Sequence, residues 1–287
     1  MERIQSNVLY WLVEHPVVKE FEWKEGETWG SSPRFVATTL IAYTSVTAFL
    51  YKISISSKSP PAKTPPSSPS TTSFLHLFSA FHSLLLVILS TLMTVGCTLS
   101  TFAQKPNNHW LFCFPSNETP PRGPVFFWTY VFYLSKISEF VDTLLILLSK
   151  SKRRLSFLHV YHHSVALVGI YMWLQTSQSL IPFGVITNSS VHILMYTYYM
   201  LCALGKRPWW KRLVTDVQIL QFILSFLVSF GMLWYHFTGK GCSGFGSWCV
   251  SAFISGSLLF LFYDFHTKTY AKGSEKRADY GGKENRI

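Results

Sequence analysis

The chain has 287 residues and a formal net charge of +11, yet only 14% of its residues are charged and 48% are hydrophobic. Soluble domains carry about 25% charged residues, so this composition excludes an ordinary soluble domain. The basic residues lie in short loops between apolar runs, a pattern that argues against a nucleic-acid-binding protein. The five cysteines include no CxxC pair, so no local zinc or redox motif is present.

Seven apolar runs follow an amphiphilic amino-terminal segment, residues 1–33. Each run is close to the roughly 20 residues that a membrane-spanning helix needs. The predicted spans, in chain order, are 35–53, 74–99, 125–148, 155–174, 181–204, 214–237 and 248–265. The sequence therefore predicts an all-α integral membrane protein with seven transmembrane helices and a membrane domain at 34–267.

Two polar segments complete the predicted organisation. The interval at about 54–73 is rich in Ser and Pro and predicts a disordered loop, and 268–287 predicts a hydrophilic tail. Seven spans place the two termini on opposite sides of the membrane. Most lysines and arginines lie in the loops on the side of the tail, and cytoplasmic loops carry such an excess. The tail is therefore predicted to be cytosolic.

Two cysteines fall in loops on the side opposite to the cytosol. Disulfides persist in such oxidising compartments and are rare in the cytosol. Cys113 and Cys242 are predicted to pair, with Cys249 as a rival partner.

Spans three to six each carry polar residues at helical spacing. In the fourth span, His159, His162 and His163 lie at i, i+3 and i+4, so they point to one side of a helix. Unpaired charges and amides facing lipid are costly, so the four polar stripes are predicted to face one another around a shared interior. The other stripes are Lys136, Glu139 and Asp142 in the third span, Asn188, His192, Tyr196 and Tyr199 in the fifth, and Thr215, Gln218 and Gln221 in the sixth.

The position of the histidines along their span predicts the shape of this interior. They lie one to two turns beyond a basic turn that contains Lys150, Lys152, Arg153 and Arg154. The stripes therefore predict a chamber that opens toward the cytosol, with a basic rim and an apolar deeper part. A ligand with a polyanionic head and an apolar tail would match such a chamber.

Each stripe taken alone also fits a structural role. The acidic and basic residues of the third span would suit an ion-pair cluster between helices. His192 would suit a packed histidine, and Gln218 and Gln221 would suit interhelical hydrogen bonds. Tyr196 and Tyr199 would suit core or interfacial aromatic residues. One structural histidine is common, whereas three on one face are not, so the histidine cluster indicates function.

Four motifs occur in order along these spans. Together they resemble the ELO family of fatty-acid elongases, the membrane condensing enzymes of very-long-chain fatty-acid synthesis, over about residues 30 to 270. The motifs are Lys136-x-x-Glu139-x-x-Asp142-Thr143, His159-x-x-His162-His163, Asn188-x-x-x-His192-x-x-Met195-Tyr196-x-Tyr198-Tyr199 and Thr215-x-x-Gln218-x-x-Gln221-Phe222.

The resemblance implies a seven-helix enzyme of the endoplasmic-reticulum membrane, with segment 1–33 in the lumen and tail 268–287 in the cytosol. Such an enzyme condenses a long-chain acyl-CoA with malonyl-CoA, and the products are 3-oxoacyl-CoA, CO2 and CoA. It needs no cofactor or metal. The implied partners are the lipid bilayer and the other enzymes of the elongation cycle, which are the 3-oxoacyl-CoA reductase, the dehydratase and the enoyl-CoA reductase.

The resemblance also implies roles for individual residues. His162 is the candidate nucleophile, because an imidazole can accept an acyl group and pass it on. The other catalytic candidates are His192 for positioning or polarising the second substrate, His159 and His163 for moving protons or orienting neighbours, Asp142 and Glu139 for fixing a tautomer, and Lys136 for neutralising those carboxylates or stabilising an enolate. The substrate-binding candidates are Asn188, Tyr196, Tyr199, Gln218 and Gln221 within the spans, and Lys150, Arg153, Arg154, Lys206, Arg207, Lys211 and Arg212 for the CoA phosphates.

Two other functions stay open from the sequence. A membrane di-iron desaturase or hydroxylase also uses histidine clusters, but this chain offers a single HxxHH and His192. Metal analysis of purified protein would separate that enzyme from a condensing enzyme. The other hypothesis is a transporter whose path is lined by intramembrane charges. Uptake of a solute into vesicles without its chemical conversion would favour a transporter.

Overall fold

A computed structural model of the protein describes residues 2–56, 69–116, 118–149 and 155–271. Within these ranges the structure is helical, with turns and two isolated β-bridges between the helices. The helices are α1 (Glu2–Leu9), α2 (Pro16–Lys19), α3 (Pro33–Ser56), α4 (Pro69–Gln104), α5 (Pro124–Ser138), α6 (Phe140–Leu148), α7 (Phe157–Thr176), α8 (Ile181–Ala203), α9 (Lys211–Thr238) and α10 (Phe245–His266).

Every interval predicted as a span falls on a helix or, for the third, on the pair α5 and α6. Among the described helices, α3, α4, α9 and α10 are long and apolar enough to cross a membrane by length and composition. Helices α7 and α8 have 20 and 23 residues, which is also about the length that a membrane-spanning helix needs. The prediction of an all-helical membrane protein is therefore confirmed.

The outer helices turn large apolar side chains outward. Phe253 of α10 is 77% exposed and Trp234 of α9 is 67% exposed. By contrast, the side chains of Lys136 and Glu139 are only 3% and 2% exposed. This distribution, apolar outside and charged inside, is the one that a lipid solvent favours.

The main apolar core lies among α4, α5, α7 and α8. It includes Met93 from α4, Phe132 from α5, Leu167 from α7 and Val185 from α8. Gly96 permits the close approach of α4 to α5, because a Cβ at this position would collide with the indole ring of Trp128. Tight helix contact through a small residue is common in membrane proteins.

The amino-terminal segment folds against one end of the helices. Trp23 Nε1 donates a hydrogen bond to Gln175 Oε1 at the end of α7, 2.5 Å away. Tyr133 of α5 donates a hydrogen bond to the Gly30 carbonyl oxygen at 2.9 Å. The amphiphilic amino-terminal segment is thus packed against α5 and α7.

On the same side, Cys113 and Cys242 form a disulfide with a Cα–Cα distance of 5.1 Å. The bond joins the loop before α5 to the turn before α10. Cys249, the rival partner from the sequence, is a free and exposed thiol.

The helices extend into both ends of the interval 54–73 that was predicted as a loop. Helix α3 continues to Ser56, and α4 begins at Pro69. Proline suits the first turn of a helix, because the backbone N–H that it lacks would have no partner there. The remainder of the interval, 57–68, lies outside the described residues, as does 272–287 of the predicted tail.

Candidate active site

The third predicted span is interrupted at Glu139, where α5 ends and α6 begins. The Glu139 N–H donates to the Ser135 carbonyl oxygen at 2.9 Å, as in a helix. The Asp142 N–H then donates to the Glu139 carbonyl oxygen at 3.0 Å, which is the tighter 3₁₀ spacing. The polar residues on the two sides of this tightening form two groups, one around Lys136 and Glu139 and the other around Asp142.

The first group is an ion cluster in the middle of the helices. Lys136 Nζ donates hydrogen bonds to Glu139 Oε1 at 2.8 Å and to Asn188 Oδ1 at 3.0 Å. His192 Nδ1 lies 3.2 Å from the same Glu139 oxygen. The side-chain amide of Gln221 extends the cluster, because its Oε1 lies 3.5 Å from Asn188 Nδ2. Buried charges persist when they are paired and hydrogen-bonded, and this cluster meets both conditions.

The second group surrounds Asp142. Tyr196 donates its hydroxyl proton to Asp142 Oδ2 at 2.8 Å, and its ring packs edge-to-face on His192 with the ring centroids 5.5 Å apart. His82 of α4 places Nε2 3.2 Å from Asp142 Oδ1, although the angle does not fit a hydrogen bond. The Tyr196 ring thus links the two groups.

The three histidines of α7 share one side of the helix but contact different neighbours. His159 Nε2 lies 2.9 Å from Thr143 Oγ1, and His163 Nδ1 lies 3.8 Å from Glu139 Oε2. The rings of His159 and His163 have centroids 4.4 Å apart. The local reason for their position is the start of α7, where the Ser156 hydroxyl accepts a hydrogen bond from the His159 N–H at 3.2 Å.

His162 is the histidine that faces a cavity. Its Nδ1 atom is buried and has no hydrogen-bond partner within the described part of the chain. Its ring lies 6.2 Å from the ring of Phe262, in edge-to-face orientation. His162 therefore presents an imidazole without a hydrogen-bond partner at Nδ1 to the cavity lining.

This cavity lies among α5, α7, α8, α9 and α10 and contains about 960 Å³ of empty space, including its opening. Four polar residues line one end, namely Lys136, His162, Asn188 and Gln221. The walls are mostly apolar. The other end is lined by residues near the carboxyl-terminal end of α7, in the turn before α8 and near the amino-terminal end of α10. Among them are Trp173, Gln178, Leu180 and Trp248.

The length of α7 sets the distance between these ends. At about 1.5 Å per residue, the helix rises roughly 17 Å from His162 to Trp173, the last residue of α7 in the cavity lining. The cavity is thus a long, mainly apolar pocket with a polar end.

Some predicted site residues lie away from this cavity. Gln218 contacts Met195, with its Nε2 3.5 Å from the sulfur, and neither it nor the exposed Tyr199 lines the cavity. The predicted phosphate ligands of the following loop and α9 are exposed, namely Lys206, Arg207, Lys211 and Arg212. Lys150, Arg153 and Arg154 lie outside the described residues.

Two residues of this region were given no role from the sequence. His82 has a signal in retrospect, since a histidine inside an apolar span usually has a polar partner. Gln178 has none, because it stands in a short turn whose burial depends on the rest of the fold. Across the described ranges, no group of three or more His, Cys, Asp or Glu side chains is arranged to hold a metal ion.

Comparison with known proteins decides the family. The sequence profile of the ELO family, described as GNS1/SUR4, matches residues 28–278. The chain belongs to the ELO family. This membership confirms the resemblance carried by the four motifs, and it favours a condensing enzyme over a metal oxidase or a transporter.

Individual relatives of this ELO protein carry consistent names. It is 28% identical over 280 residues to "Fatty acid elongase 3-like" of Arabidopsis thaliana, covering 93% of each chain. It is 37% identical over 212 residues to "Fatty acid elongase A" of Dictyostelium discoideum, covering 70% of this chain and 74% of the relative. It is also 32% identical over 204 residues to "Very long chain fatty acid elongase 2" of Mus musculus, covering 68% and 66%.

Proposed function

We propose that this ELO protein condenses a long-chain acyl-CoA with malonyl-CoA, releasing 3-oxoacyl-CoA, CO2 and CoA. Its family and the elongases that it resembles make it a fatty-acid elongase, a condensing acyltransferase of the 3-oxoacyl-CoA synthase type. The observation that supports the chemistry best is the position of His162, which lies with Lys136 and Asn188 at the polar end of a long apolar cavity.

In the first half-reaction, a nitrogen of the neutral His162 imidazole attacks the thioester carbonyl carbon of acyl-CoA. A carbon–nitrogen bond forms and the carbon–sulfur bond breaks. The CoA thiolate takes the proton lost from the imidazole and leaves as free CoA. The acyl chain, now held on His162, lies along the apolar walls of the cavity.

In the second half-reaction, malonyl-CoA loses CO2 and the electron pair of the broken bond forms an enolate. The enolate carbon attacks the acyl-imidazole carbonyl, the carbon–nitrogen bond breaks, and 3-oxoacyl-CoA is released. The imidazolate of His162 then takes a proton from water and becomes neutral again. Lys136 is suited to stabilise the enolate oxygen, because Glu139 and Asn188 hold its ammonium group in a dry site. His192, fixed beside Glu139, is suited to orient the malonyl thioester.

The same proposal includes the membrane arrangement. Seven spans cross the endoplasmic-reticulum membrane, with segment 1–33 in the lumen and tail 268–287 in the cytosol. The cavity opens toward the cytosol, where the exposed Lys206, Arg207 and Lys211 are candidates for the CoA phosphates. The 3-oxoacyl-CoA reductase, dehydratase and enoyl-CoA reductase of the elongation cycle would then receive the product in turn.

Purified protein in lipid vesicles tests the proposal directly. Incubation with malonyl-CoA labelled in its free carboxyl group and a ladder of acyl-CoAs should release labelled CO2, and mass spectrometry should detect 3-oxoacyl-CoA two carbons longer than the substrate. Samples lacking acyl-CoA serve as the control. Folded protein that yields no such product with any acyl-CoA would rule the proposal out.

The packing of Gly184 against Trp173 makes a prediction about chain length. A Cβ at Gly184 would lie 2.7 Å from the Trp173 ring, so Gly184→Ala forces that ring to move within the cavity lining. We expect kcat/KM for the longest accepted acyl-CoA to fall by about tenfold, while shorter substrates react normally. Rates measured across the acyl-CoA ladder check this.

Gly246→Ala of α10 is the control, because a Cβ at this exposed position would meet nothing within 4 Å and Gly246 does not line the cavity. Identical chain-length profiles for the two variants would contradict the prediction.

The contact between His82 and Asp142 makes a second prediction. His82→Leu should lower the condensation rate by roughly tenfold to a hundredfold, because it removes a polar neighbour that helps to position the Asp142 carboxylate. His82→Gln should recover much of the loss, since its amide can supply an N–H near the former Nε2. The assay is condensation by purified protein at saturating substrates.

His76→Leu is the control, because His76 is an exposed histidine on the same helix. Equal rates for both His82 variants and the wild type would show that this contact has no part in the reaction.

A further inference from the structure

The far end of the cavity contains an unpaired polar group. Gln178 lines this end, is 2% exposed, and leaves its side-chain Oε1 buried without a hydrogen-bond partner in the described part of the chain. Its polar neighbours are paired, since Trp173 Nε1 donates to Ser251 Oγ at 2.7 Å and Trp248 Nε1 donates to Ser229 Oγ at 3.1 Å. Buried amides without a partner are rare, and such a group is available to a ligand.

The backbone holds Gln178 in this place. Its N–H donates to the Trp173 carbonyl oxygen at 3.1 Å, and its own carbonyl oxygen accepts from the Ile181 N–H at 3.2 Å. Gly244, with φ of +70°, packs directly on it, and a Cβ at Gly244 would lie 2.5 Å from Gln178 Cα. The Gln178 backbone is therefore held at the end of the cavity.

The distance from the reactive end defines what reaches this amide. The cavity walls between His162 and Gln178 are mostly apolar, and α7 rises roughly 17 Å from His162 to Trp173, whose carbonyl oxygen accepts from the Gln178 N–H. A ligand that fills this space has an electrophile at one end, a long run of methylene groups, and one polar group at the other end.

We propose that Gln178 binds a hydroxyl group at the ω end of the acyl chain, so that ω-hydroxyacyl-CoA is a substrate class of this enzyme. The hydroxyl donates a hydrogen bond to Gln178 Oε1, so this buried oxygen gains a partner. This inference rests on the proposed function, since it places the acyl chain in the cavity.

An unsubstituted chain of equal length would bring a methyl group to the same amide and leave it unpaired. A site that hydrogen-bonds a substrate hydroxyl discriminates against the analogue that lacks it, because buried polar groups then lose their partner. The alternative is that a water molecule pairs with Gln178. In that case the two chains would react at similar rates.

The test compares an acyl-CoA with the ω-hydroxyacyl-CoA of the same carbon number, using the complete protein in vesicles. We expect the ratio of kcat/KM for the hydroxylated over the unsubstituted chain to be at least about tenfold higher in the wild type than in Gln178→Met, which keeps the size but removes the amide. Gln175→Met is the matched control. The Gln175 amide is bonded to Glu25 and Tyr171 outside the cavity, so its ratio should equal the wild-type ratio.

A second measurement needs only the wild type. Across a ladder of chain lengths, the preference for the hydroxylated chain should peak at the length that brings the hydroxyl to Gln178 and disappear in chains four carbons shorter. Equal ratios in the wild type and Gln178→Met, or a wild-type preference for the unsubstituted chain at every length, would overturn the inference. Failure of both substrates to condense in the wild type would instead overturn the proposed function.

Discussion

Replacing His162 with alanine is expected to abolish condensation, with kcat reduced by a factor of roughly 10³ or more. The imidazole lines the cavity and its Nδ1 has no partner in the described structure, so its removal leaves the neighbouring ion cluster intact. The protein should therefore fold normally and still lose the acyl acceptor. Release of CO2 from malonyl-CoA in the presence of acyl-CoA is the measurement.

The exposed His76 supplies the control for this variant, since His76→Ala removes an imidazole outside the cavity and should keep the wild-type rate. Wild-type CO2 release by folded His162→Ala would eliminate His162 as the nucleophile. The neighbouring His159 and His163 would then be the next residues to test.

Replacing Lys136 with methionine is expected to impair both stability and activity. The substitution leaves the buried Glu139 carboxylate without its cation, and breaking a buried ion pair in this way costs about 3–5 kcal/mol. The midpoint of thermal unfolding in detergent should fall on the order of 10 °C. The condensation rate should fall with it, because His192 and Asn188 lose the cluster that holds them.

The double variant Lys136→Met/Glu139→Gln separates these two effects. It removes both charges, so much of the lost stability should return, while activity stays low because the ammonium group is still missing. A wild-type unfolding midpoint in the single variant Lys136→Met would contradict the view that the charge of Glu139 depends on that of Lys136.

The meeting of the polar stripes followed from their spacing. Lys136, Glu139, Asn188 and His192 stand on faces of apolar helices, and the free-energy cost of placing such groups in lipid leaves the interior as their place. Helical spacing predicts the face of a residue, but it does not specify which residue opposes it. Gln218 shows the difference, because it contacts Met195 instead of the cavity.

Structural features that depend on contacts between several segments could not be predicted from the sequence. The tightening at Glu139 has no proline or glycine beside it, and it accompanies the contacts of this side chain with α5 and α8. His82 of α4 contacts Asp142, and a lone histidine in an apolar span indicates a polar partner without saying which residue it is. Gln178 is buried because Gly244, distant in sequence, packs on it. Local patterns cannot report such contacts.

Mass spectrometry of the protein after brief incubation with acyl-CoA alone, followed by rapid quenching, tests most directly whether His162 carries the acyl chain. We expect an acyl adduct on the peptide that contains His162, and we expect it to disappear when malonyl-CoA is added, with 3-oxoacyl-CoA formed in equal amount. An enzyme that condenses the two substrates at full rate while this peptide stays unmodified would contradict the account.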